Sequence, residues 1–246
     1  MADKYKIWLD DVSNADVGVV LQGSLRVSAP EPDVETVSVP GRNGDLHIYK
    51  GSYKNRLGTF DAYVYRKDGV KHYLSTTQNW LLGGQGYRRI SDSEDIDHYW
   101  LGRVVNGAEV AARMNRIAPF LVKLDLKPQH FLVSGEETIE LTASGTVYNP
   151  TNFASQPLYI VKGSGDVTIT VNGQSMKFTS LGTYIYSDTI YFDTDSGAAY
   201  TPDATDTTAN SRTTALANYD LVGGMNTITI EGDVTSLQIV PRWWEL

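Results

Sequence analysis

The sequence predicts a mostly β protein in two parts. An N-terminal β domain with one short helix spans residues 1–133, and an antiparallel β-sandwich spans residues 134–246. Three observations carry this reading. Short apolar or alternating runs, bounded by Gly, Pro, Asn and Asp, recur along the whole chain. One stretch alone has a clear helical start and stop. The charge also breaks in mid-chain, with 17 Lys+Arg against 16 Asp+Glu up to residue 133 and 4 against 13 from residue 134 onward. Two separately built domains show a shift of that size.

In the first part, "KYKIWLD", "VGVVLQ" and "ETVSVP" alternate or run apolar between turn residues, and each predicts a strand. "SVPGRNGDLHIY", residues 38–49, places a Gly-Arg-Asn-Gly-Asp turn between two extended arms and predicts a hairpin. Pro40 sets the entry, Asn43-Gly44 supply the backbone freedom a tight turn needs, and Arg42 and Asp45 are left free at the tip. "RLGTFDAYVYR" runs through Phe60, Ala62, Val64 and Tyr65 as a long strand, with "KDG" closing its far end. "STTQNWLLGG" predicts a helix of barely two turns, capped by Ser75 or Thr76, apolar at Trp80, Leu81 and Leu82, and stopped by Gly83-Gly84. Residues 108–128 read two ways. The first nine have helix propensity, but Pro119 forbids a continuous helix and "FLVKLDL" alternates, so a strand pair is favoured over a second helix.

The second part is rich in Thr, Ile, Val and Tyr. "ETIELTASGTVYN", "PLYIVKG", "DVTITVNGQSMKF", "TYIYSDTIYFD", "NTITIEG" and "TSLQIVPRWWEL" predict successive strands, with Asn172-Gly173 marking a two-residue hairpin. Strands of this length and spacing predict an antiparallel sandwich. Residues 193–218 hold few large apolar side chains and predict a long surface loop.

The composition narrows the function classes. A hydrophobic content of 41% and a charged content of 20% are globular values. No apolar run approaches the roughly 20 residues of a membrane helix, so membrane insertion is not expected. "MADKYKIWLDD" lacks the apolar core of a secretory signal, which gives an expectation of folding in a cytoplasm. With no cysteine, disulfides, thiolate metal sites and thiol nucleophiles are excluded together. The acidic second part argues against sequence-specific nucleic-acid binding, which needs clustered Lys and Arg.

The candidate chemistry is sparse. "SDSEDIDH", residues 91–98, could be a carboxylate pair or a cation site, but its spacing reads better as a solvated loop leading into a strand. "DTDSG", residues 193–197, begins like a calcium loop, yet Ala204 stands where the bidentate Glu is needed, so a turn is expected. His47, His72, His98 and His130 are scattered without metal-ligand spacing, and no metal or cofactor is expected. "GGQG" and "GSGD" lack the setting that phosphate binding requires, and no G-x-S-x-G elbow occurs. No residue stands out for catalysis. Trp243 and Trp244 fall on opposite faces of a terminal strand, so at least one is expected in the core while the other could stack on a sugar ring. A carbohydrate-binding module contacting host cell-wall polymers is therefore the alternative function.

Taken in order, several pieces resemble the distal tail protein (Dit) family of long-tailed, non-contractile phages. They are "VPGRNGDL", then "FLVSGEETIEL … NPTNFASQPLYIVKGSGDVTITVNGQ", then "IYFDTDSGAAY" with its D-x-x-x-x-x-A-Y pattern. The G-x-N-x-I strand in "LVGGMNTITIEG" and the P-R-W of "IVPRWWEL" complete the set. The resemblance covers nearly the whole chain. It implies an N-terminal domain that closes into a hexameric ring, with an arm-like hairpin reaching a neighbour, and a peripheral galectin-like β-sandwich at the C-terminus. It further implies a structural virion protein without enzymatic activity, folded in the host cytoplasm and placed at the distal tip of the tail. Such a hub joins the tail tube to the tail tip or baseplate and lets DNA pass. Its partners would be further copies of itself, the tail tube protein, the tape measure, and tail-tip, baseplate or receptor-binding proteins. Pro40, Gly41, Arg42, Asn43, Gly44 and Asp45 are the assembly-interface candidates under this resemblance.

Overall fold

The computed structural model describes residues 5–105, 116–183, 186–202, 209–215 and 218–246. The chain is mostly β and divides into two compact units, residues 1–130 with Leu246, and residues 131–245.

The first unit contains β1 (Ile7–Leu9), β2 (Val12–Ser13), β3 (Val19–Leu21), β4 (Arg26–Val27), β5 (Pro32–Val37), β6 (Leu46–Tyr53) and β7 (Arg56–Tyr65). Helix α1 (Lys71–Leu82), β8 (Arg88–Asp92), β9 (His98–Val104) and β10 (Ile117–Leu132) follow. The main sheet runs β2-β1-β8-β9-β10-β7-β3, with β4 also on β7. Its backbone is the antiparallel β7–β10 pair, in register from Tyr65 opposite Ile117 to Arg56 opposite Leu126. The alternation read from the sequence holds here: Phe60, Ala62 and Val64 are buried together with Ala118, Val122, Leu124 and Leu126 in one core. Pro119 lies within β10, opposite Tyr63, and residues 117–132 form one long strand. The first arm of the expected strand pair, and equally a second helix in its place, falls on residues 108–116, which apart from Arg116 lie outside the described residues.

Helix α1 is longer than the sequence predicts. It starts at Lys71 without a side-chain cap, which puts Ser75 and Thr76 inside it. Packing does the work that a cap would do: Val70 is fully buried, Tyr73 and Leu74 pack against the core, and Trp80 and Leu81 are buried one face on. The Trp80 indole N–H donates to Val12 O at 2.9 Å and ties the helix to β2.

Strands β5 and β6 form a separate two-stranded sheet. Their pairing ends at Val37 opposite Leu46. The connecting loop therefore spans residues 38–45, wider than the tight turn the sequence predicts. Left-handed backbone falls at Gly41 (φ +80°) and Gly44 (φ +78°), while Asn43 is not among the positive-φ residues.

The second unit contains β11 (Ile139–Leu141), β12 (Gly145–Asn149), β13 (Leu158–Val171), β14 (Gln174–Leu181), β15 (Thr189–Asp193) and β16 (Ala198–Tyr200). Helix α2 (Ala209–Arg212), β17 (Thr213–Thr214), β18 (Gly224–Val240) and β19 (Trp244–Glu245) complete it, with a 3₁₀ turn at Val133–Glu136. Two long strands are shared by both layers of a sandwich. The first half of β13 pairs with β15, its second half with β14, and β18 runs beside both. Register shifts after Lys162 and after Ser164 let the pair bend from one layer into the other. The enclosed core includes Tyr159, Val161, Ile169, Met176, Phe178, Ile190 and Leu237.

The hairpin expected at Asn172-Gly173 forms, with φ of +49° and +84° at its two central residues. Residues 193–218 are more ordered than a surface loop in their described parts. They supply β16, α2 and β17, with Ala209 and Arg212 buried.

Candidate functional site

The most exposed structured element is the β5–β6 hairpin. All eight residues of β6 are exposed, although Leu46, Ile48, Tyr49 and Tyr53 are apolar or aromatic. Val37 and Val39 add to this surface. A two-stranded ribbon with no third strand is marginal by itself, and exposed apolar side chains on such a ribbon mark a surface meant to be covered. Within the hairpin a long Lys50–Asp33 pair at 3.8 Å joins the strands, and Lys54 N–H donates to Glu31 O at its base.

The loop residues Pro40, Gly41, Arg42, Asn43, Gly44 and Asp45 are all exposed. The Arg42 backbone N–H donates to Val39 O at 3.2 Å. Among the described residues, the Arg42 guanidinium and Asp45 carboxylate have no side-chain partner, so both charges stand free at the tip. A Cβ at Gly41 or Gly44 would meet open space, so backbone conformation is the only demand for glycine there.

In the second unit, the motif residues turn inward. Asp193 accepts a two-pronged pair from Arg242, at 2.7 and 3.2 Å, which links the D-x-x-x-x-x-A-Y and P-R-W segments. Burial raises the Asp193 carboxyl, but hydrogen bonds from Arg242 and its charge, with the Asp195 and Ser196 amides, hold it below the ordinary carboxylate value. Arg242 itself has φ +56°, and its N–H donates to Gly135 O at 2.8 Å. Gly135 is required there because a Cβ would collide with the Trp243 backbone.

Asn226, the polar residue of G-x-N-x-I, is fully buried and donates toward Val222 O, Gly224 O and Val147 O. Asn149 does similar work for Phe153 O and Leu221 O, and accepts from Thr151. The tryptophans separate as their alternation requires. Trp243 is 4% exposed, whereas Trp244 is half-buried, stacks on Phe153 and donates its indole N–H to Ala154 O at 3.0 Å.

Sequence reasoning missed one grouping. Asp95 follows β8, His98 opens β9 and His130 lies near the end of β10, and the structure brings all three together. The segment is not merely a solvated loop. Asp92 at its start is buried and its carboxylate accepts the Glu94 and Asp95 amides. Burial, with the nearby His98 second, pushes the His130 imidazole down to about 4, so it is held neutral at ordinary pH. The one sequence signal was the three-residue spacing of Asp95 and His98; His130 joins only through strand pairing. A shallow open groove of about 410 Å³ in the same unit is lined by Trp8, Asp10, Arg89, Asp92 and Ile96 among others.

No protein-family model and no curated protein matches the chain. Among solved structures, the chain is similar to the crystal structure of the SPP1 Dit protein (gp 19.1), described as a paradigm of the hub adsorption apparatus in phages infecting Gram-positive bacteria. The two share 14% identity and a TM-score of 0.70, with 98% of this chain and 99% of that one covered. A component of the phage p2 baseplate in its activated, strontium-containing conformation also aligns, at 11% identity and a TM-score of 0.49 over 96% and 97% of the two chains. The chain thus has the fold of the SPP1 Dit protein along its full length. No helix among the described residues is long and apolar enough to cross a membrane.

Proposed function

We propose that this chain is a distal tail hub, a structural virion protein that closes into a hexameric ring joining the tail tube to the tail tip or baseplate. DNA passes through the ring, and the protein acts without enzymatic activity. The full-length fold similarity to a phage hub protein supports the class of protein. The observation that carries the assembly reading is the β5–β6 hairpin, a ribbon whose second strand is exposed at every residue while presenting Leu46, Ile48, Tyr49 and Tyr53. A closed ring of identical copies gives each such ribbon a complementary surface on the next copy. The inward-facing motif residues of the second unit hold a β-sandwich together, in keeping with a galectin-like domain that serves as a scaffold. Carbohydrate recognition is the weaker reading, because Trp243 lies in the core and one face of Trp244 is taken by Phe153.

Native mass spectrometry and negative-stain imaging test the proposal. The parent chain of 27.2 kDa is expected as a six-fold assembly. The pair Ile48→Asp and Tyr49→Asp is expected to give monomers with unchanged circular dichroism and melting, since neither side chain is buried in the single chain. A parent that stays monomeric at high concentration and in the presence of tail partners refutes the ring.

A further inference from the structure

We infer that Asp95, His98 and His130 form a binding site for one divalent transition-metal ion of the zinc type. The ligand atoms of the three residues lie within 4.8 Å of one another. The Asp95 carboxylate sits between the two rings: one oxygen is 2.8 Å from His98 Nδ1 and the other 3.9 Å from His130 Nε2. A tetrahedral ion with bonds of about 2.1 Å places its ligand atoms about 3.4 Å apart. The two separations belong to different carboxylate oxygens and bracket that value. Since all the ligand atoms lie within 4.8 Å, side-chain shifts of about 1–1.5 Å with a turn of one imidazole close the site.

A second observation points to a ligand here. His130 Nε2 is buried and, among the described residues, has no hydrogen-bond partner. Trp100, stacked on the His130 ring at 3.9 Å, carries a buried indole Nε1 that also lacks one. Unpaired buried polar groups are rare in folded proteins and each needs an explanation. An ion on His130 Nε2 with a water in its fourth position satisfies the first group directly and offers an acceptor near the second.

The donor set decides which ion. Two imidazole nitrogens and one carboxylate favour zinc, cobalt or nickel, whereas calcium and magnesium require more oxygen donors than these residues hold. His98 stacks on His130 at 4.6 Å with 30° between the rings, and in-plane lone pairs on two stacked rings do not meet. Binding therefore tilts His98 off the stack. The ion then fastens the turn between β8 and β9 to β10, two segments that adjoin only in the folded sheet.

Calorimetry with ZnCl2 on untagged, chelator-stripped, full-length protein tests the site. One ion per chain at a micromolar or lower dissociation constant is expected, with a change in tryptophan emission through Trp100. Asp95→Asn and His98→Gln should each weaken binding by about ten-fold or more. The Asp95 side chain is 41% exposed on a turn, so its replacement leaves the circular dichroism unchanged. His47→Gln, on the exposed hairpin, should leave zinc binding as in the parent. Absence of saturable uptake below about 1 mM overturns the inference, as does uptake that survives Asp95→Asn and His98→Gln together.

Discussion

Asn226→Ala should be one of the most damaging single changes in the second unit, although the residue is polar and lies on a strand. Its Nδ2 is 2.8 Å from Val222 O, 3.0 Å from Gly224 O and 3.3 Å from Val147 O, and its Oδ1 accepts from Asn172 Nδ2 at 2.7 Å. Two amide protons serve three carbonyls, so two bonds count in full. Asn172 is exposed and regains water when its partner goes, but the carbonyls are left facing a small void. Losing two hydrogen bonds that are buried or partly buried, at about 1–1.5 kcal/mol each, with a small cavity, gives a cost of about 3 kcal/mol. At a urea dependence of about 1.5 kcal/mol per molar, the midpoint falls by about 2 M.

Hydrogen exchange of peptides covering β13 and β14 along a urea series reads this unit separately from the first. Asn226→Asp should be worse than alanine, because it turns a buried donor into an acceptor facing carbonyl oxygens. A midpoint shift below about 0.3 M for Asn226→Ala would show that water or backbone adjustment replaces the amide, and the reasoning would fail.

Arg242→Ala breaks a partly buried two-pronged pair and should destabilise the second unit by about 2 kcal/mol, measured in the same urea series. The Asp193 carboxyl is held below its ordinary value of 3.8, so the folded state binds this proton less readily than the unfolded chain. Its stabilisation is therefore complete above the ordinary value and is lost as pH falls through the lower folded one. Asp193→Asn should accordingly flatten the acid-unfolding curve below pH of about 4, and a curve of unchanged slope would remove the pair from the account. Gly44→Val forces a β-branched residue to φ +78° but meets no neighbour, so about 1–2 kcal/mol of strain should stay in the hairpin and leave the melting of both cores unchanged by calorimetry. Arg42→Ala should likewise spare the melting curve and lower the hexamer fraction in native mass spectra, because its guanidinium touches no described side chain of its own chain.

The periodic and short-range features of this protein were legible in the residues themselves. Phe60, Ala62 and Val64 alternate because a strand places every second side chain on one face, and Asn172-Gly173 makes a hairpin because both residues accept left-handed backbone. The burial of one terminal tryptophan follows from the same two-fold alternation. Other features depended on what the folded chain supplies. Helix α1 begins at Lys71 because Val70, Tyr73 and Leu74 meet a core that no capping rule contains. Asn226 looks like any polar residue of a strand until Val222, Gly224 and Val147 turn their carbonyls toward it.

His130 joins Asp95 and His98 only because β8, β9 and β10 are neighbours in the sheet. The apolar residues of β6 read as an ordinary strand, and only the tertiary structure shows that they stay exposed among the described residues. The physical reason is one of range. Backbone conformation and side-chain alternation are set by neighbours a few residues away, whereas burial, pairing and convergence of ligands are set by contacts between segments far apart in the chain.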